Sequence, residues 1–87
     1  MCAMHTADGR KLAEEHLALA NRHIVEATER IARQSALIER IAAAGWDTSL
    51  SEGLLQEMER ALELMYAHRA QIMRELSELS RANEIRS

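Results

Sequence analysis

The sequence predicts an all-α protein: an antiparallel two-helix hairpin of coiled-coil type, expected to dimerise into a four-helix bundle. Three observations carry this. Apolar residues recur every seven positions in two long stretches of nearly equal length. The chain has no proline and only three glycines, so little interrupts a helix. Between the two stretches lies Gly45-Trp-Asp-Thr-Ser49, which combines helix-stop and helix-start chemistry.

Residues 1–9 show no periodicity and read as a disordered N-terminal tail. The lone Cys2 falls in this tail and reads as incidental, because no charged groups cluster around it. A single cysteine forms no internal disulfide framework and suits a reducing compartment, so the expected localisation is cytoplasmic.

The first helix is expected over about 10–44. Leu17, Ile24, Ile31 and Ile38 recur at sevens, with Ala13, Ala20, Ala27, Gln34 and Ile41 at the companion positions. The outer face carries Arg22, Glu26, Glu29, Arg33 and Arg40. Glu26–Arg30 and Glu29–Arg33 have the favourable i,i+4 order. The pattern stops at Gly45, the residue type that follows a helix C-terminus.

The turn is expected at about 45–49. Asp47, Thr48 and Ser49 are all able to cap the next helix, and Ser49-x-x-Glu52 has capping-box spacing. The second helix is expected over about 50–84. Leu55, Leu62, Arg69 and Leu76 form its heptad seam, with Met58, Met65, Ile72 and Leu79 as companions. Together 10–87 make one domain.

A short connection forces the two helices antiparallel. Placing small residues against large ones suggests a register that sets Leu17 by Leu79, Ala27 by Arg69, Gln34 by Leu62 and Ile41 by Leu55. Leu19, Val25, Ala32 and Leu37 widen the apolar stripe of the first helix, and Leu54, Ala61 and Met73 that of the second. One partner helix does not cover stripes this wide. A homodimer is therefore expected, with another helical protein as the alternative partner.

Several function classes are disfavoured. Net charge is −3, and the arginines are interleaved with glutamates, so no basic face points to nucleic acid. No apolar run is long enough to span a membrane, and no signal-peptide core is present. No nucleophile–base constellation appears, so no enzyme activity, catalytic residue or cofactor is expected.

The candidate interaction residues are Arg69, Gln34, Trp46, Met58, Met65 and Met73. Arg69 and Gln34 sit on the apolar seam, where a polar residue sets register and partner. The reading favoured for Arg69 packs its stem and lets the guanidinium reach the edge. The methionines offer adaptable packing, and are more often plain core. Trp46 is placed either to cap the bundle end or to anchor a partner. His16, His23 and His68 are expected to be spread along the rod, not gathered as metal ligands. A small-ligand or metal-binding bundle using these histidines and Arg69 is the alternative function. The favoured one is a non-enzymatic interaction or adaptor protein.

His23-Ile-Val-Glu-Ala-Thr-Glu-Arg-Ile-Ala-Arg-Gln34, Gly45-Trp-Asp-Thr48, Leu54-Leu55 through Met65 and His68-Arg69 carry a resemblance. In these stretches the chain resembles small uncharacterised bacterial helical-hairpin proteins with a Gly-x-Asp-Thr turn. The resemblance spans most of residues 12–79 and implies a hairpin but no activity. The secreted WXG-type hairpins turn at Trp-x-Gly, whereas this chain has Gly45-Trp46, and they are set aside.

Overall fold

A computed structural model describes the backbone of residues 2–86, with the side chains of residues 1–8, 83 and 85–87 outside the description. It consists of two helices, α1 (Cys2–Ala43) and α2 (Ser49–Arg86), folded against each other along their length. The hairpin is a rod of 66 × 16 × 14 Å.

α1 begins at Cys2, which corrects the expected start near Arg10. Residues 2–9 lack an apolar stripe, but extending a formed helix needs only tolerant residues. Ala3, Met4 and Ala7 supply them, and the single Gly9 costs about 1 kcal/mol. The side chains of Cys2 and His5 lie outside the described residues. α2 likewise runs past the expected end near residue 84 to Arg86.

The seam is the heptad seam of the sequence. Ala13, Ala20, Ile24 and Ile72 are the buried core. Leu17, Ala27, Ile31, Gln34, Ile38 and Ile41 are half-buried on α1, as are Leu55, Met58, Leu62, Met65, Arg69, Leu76 and Leu79 on α2. The expected widening is equally visible, since Leu19, Val25, Leu37, Leu54 and Met73 are all exposed.

The connection closes α1 with a Schellman motif. The Trp46 N–H donates to the Ile41 carbonyl at 3.1 Å and the Gly45 N–H to that of Ala42 at 3.0 Å. Gly45 has φ of 79°, a left-handed backbone that costs a residue with a Cβ about 1–2 kcal/mol. Asp47 then opens α2. Its Oδ1 accepts from the Ser49 N–H at 3.0 Å and from the Ser49 hydroxyl at 2.7 Å. The Thr48 carbonyl takes the first helical bond, from Glu52 N–H at 2.9 Å, which makes Thr48 the cap residue. These two bonds hold the Asp47 carboxyl below its ordinary acid range.

The register differs from the expected one by about two helical turns. The expected pairing is centred on Thr48. In the structure the chain reverses at Gly45, and Trp46 to Thr48 are spent entering α2. Gln34 consequently meets Ser51 instead of Leu62, and the Arg69 head meets Asn21 instead of lying over Ala27. Glu26–Arg30 and Glu29–Arg33 do not close as ion pairs. Arg10 and Glu14 do, at 3.3 Å on an exposed face.

Candidate functional site

An antiparallel helix pair has two different flanks, because residues just before the core position of one helix face their equivalents on the other. Here the flanks have opposite characters. One carries His16, His23, Arg30 and Leu37 from α1, with Leu54, Ala61, His68 and Glu75 from α2. The other carries Asn21, Thr28 and Ser35 from α1, with Glu59, Tyr66 and Met73 from α2.

The first flank is grooved along its length. Near the turn, Gln34, Leu37, Leu50, Gly53 and Leu54 line a depression of about 540 Å³. In the middle, Ala27, Arg30, Met58, Ala61 and Met65 line a narrow one of about 80 Å³. Toward the open end, His16, Leu19, Ala20, His23 and His68 line a third, of about 190 Å³. The groove is deep at neither end, and its lining is largely apolar near the turn. Gly53 and Ala61 are among the residues that line it.

The sequence reading spreads the three histidines along the rod; the shorter register sets His68 at the depression that His16 and His23 also line. Among the described residues no group of three or more His, Cys, Asp or Glu is placed to hold a metal ion. The two-turn separation of His16 and His23 points their rings at different levels of the groove.

Arg69 reaches the other flank. Its Nη1 donates to the Asn21 side-chain oxygen at 3.3 Å, and its guanidinium lies 5.1 Å from the Tyr66 ring centroid. The stem stays in the seam while the charged head meets a polar edge and an aromatic face. Arg69 and the histidines therefore do not form one site. The Tyr66 contact is readable as i,i+3 spacing on one helix; Asn21 is not, because it depends on register.

Gln34 donates from Nε2 to the Ser51 carbonyl at 2.9 Å, a second polar contact between the helices. Met58 and Met65 are half-buried in the seam and line the middle of the groove, whereas Met73 is exposed on the opposite flank. The three methionines are not one surface. Trp46 is 74% exposed beside Arg40, Ile41, Ala44 and Asp47, at the very end of the rod.

No protein-family model, curated protein or solved structure matches this chain. No described helix is long and apolar enough to cross a membrane.

Proposed function

We propose that this chain is a small, non-enzymatic interaction protein of the cytoplasm. It acts through helix–helix packing, with a second copy of itself as first partner in a four-helix bundle. The observation that carries the reading is the surface the single hairpin leaves wet. Its accessible area is 6863 Å². A folded monomer of 9.8 kDa has about 5,200 Å², so the excess is about 1,700 Å² per chain. Two copies hiding that much would bury about 3,400 Å² in total, within the range of obligate homodimers. Leu19, Val25, Leu37, Leu50, Leu54 and Leu64 are among the exposed large apolar residues.

The core points the same way. Only four described hydrophobic residues are buried, two of them alanines, which is little for a chain of this length. A small-ligand or metal-binding bundle has less support, because Arg69 and the histidines serve opposite flanks.

Light scattering over a concentration series, with helicity followed on dilution, tests this. A mass of twice 9.8 kDa whose helices melt on dilution is the expected result. A fully helical monomer at every concentration would overturn the reading.

A further inference from the structure

We infer that the second copy packs on the grooved flank, with the two turns at the same end of the bundle. Leucines then meet leucines and the histidines of both copies meet each other. This rests on the self-association proposed above and adds to it a face and an orientation.

The face follows from the contrast between flanks. On the other flank Asn21 accepts from Arg69, Tyr66 carries the guanidinium, and the Thr28 hydroxyl donates to the Ile24 carbonyl at 2.7 Å. Among the residues of that flank, Tyr66 and Met73 are the exposed large apolar side chains. The grooved flank instead leaves Leu37, Leu50 and Leu54 in water, and a helix ridge fits such a groove.

The orientation follows from the contrast between ends. Leu37, Leu50 and Leu54 line the groove near the turn beside Glu57, and the three imidazoles line it toward the open end beside Leu19. Turns at opposite ends would lay each leucine cluster on the partner's three histidines, burying ionisable rings against hydrocarbon. Turns together match apolar with apolar. A twofold axis along the rod then sets α1 against the partner's α2, every neighbouring pair antiparallel.

The test uses the full chain with Cys2→Ser and a nitroxide on Ala43→Cys, an exposed position at the end of α1. Double electron–electron resonance is expected to give a separation of roughly 20–30 Å, a bundle's width plus two label arms. A separation beyond about 50 Å, most of the rod's length, would overturn the orientation while leaving the dimer standing. No dipolar modulation at concentrations where the chain is helical would overturn self-association itself.

The face is tested separately by Leu54→Glu and Met73→Glu, whose parent residues are 50% and 53% exposed on opposite flanks. Leu54→Glu is expected to raise the dimer dissociation constant at least tenfold and Met73→Glu to change it less than threefold. The reverse ranking would overturn the choice of face.

Discussion

Gln34 and Ser51 are joined across the seam by a 2.9 Å hydrogen bond from the Gln34 amide to the Ser51 carbonyl. It ties the fourth heptad of the seam on α1 to the first turn of α2, close to the point where the chain reverses. A slide of one heptad would break it while keeping apolar layers in contact elsewhere. Gln34→Leu is expected to change unfolding free energy by no more than about 1.5 kcal/mol, because a hydrophobe of similar volume fills the seam. The same change should admit a second register, visible as doubled amide resonances for residues 50–56. A single sharp set would show that the turn alone holds the register.

Arg69 shares its charge between Asn21 and the Tyr66 ring. A double-mutant cycle on Arg69→Met and Asn21→Ala should return a coupling of about 0.5–1 kcal/mol, modest because the head group is near water. A coupling of zero would mean that only the stem of Arg69 matters.

Ile24 and Ile72 are the large side chains of the small core, at 6% and 3% exposure. Truncating either to alanine removes packing that the slender rod has no other residues to replace. Each should cost about 2–4 kcal/mol by denaturant melts. Val25→Ala, at an exposed neighbour of Ile24, should cost under about 1 kcal/mol in the same assay.

Gly45 and Gly53 predict opposite signs for the same substitution. Gly45→Ala forces a Cβ onto a left-handed backbone and should destabilise by about 1 kcal/mol. Gly53 is helical, and a Cβ there meets nothing within 4 Å, so Gly53→Ala should stabilise by about 0.5–1 kcal/mol. Thermal melts of the two variants settle both signs.

Asp47 makes the start of α2 sensitive to acid. Its carboxyl is held below its ordinary value of 3.8, chiefly by the Ser49 hydroxyl and then by the Ser49 N–H. A carboxyl depressed by folding contributes stability above the unfolded value, and that stability is lost as pH falls through the lower folded one. Asp47→Ala should therefore melt below the parent protein at neutral pH. The gap should close once pH drops beneath the ordinary carboxylate range. A gap that persists unchanged in acid would assign the effect to something other than the Asp47 carboxylate.

The residues that meet along the seam were legible in the sequence because a seven-residue repeat is a local signal. Leu17, Ile24, Leu62 and Ile72 lie on the inner face whatever they pair with, since helical geometry alone puts them there. The stop at Gly45 was legible for the same reason: a Schellman motif is written within six consecutive residues. The choice among Asp47, Thr48 and Ser49 was less so, because all three side chains suit a helix start and only the backbone path ranks them.

By itself, then, the sequence determined that there are two helices, that the first stops at Gly45 and which stripe of each is apolar. Those follow from periodicity and local backbone preference. Tertiary structure decided the register, and through it every cross-helix relationship: Gln34 with Ser51, Arg69 with Asn21, and His68 with His16 and His23. A heptad repeat is nearly degenerate under a slide of seven residues, so apolar layering is satisfied about equally in several registers. The tight closure at Gly45 and the cross-helix bonds of Gln34 and Arg69 select one register, and those two bonds exist only in the folded chain.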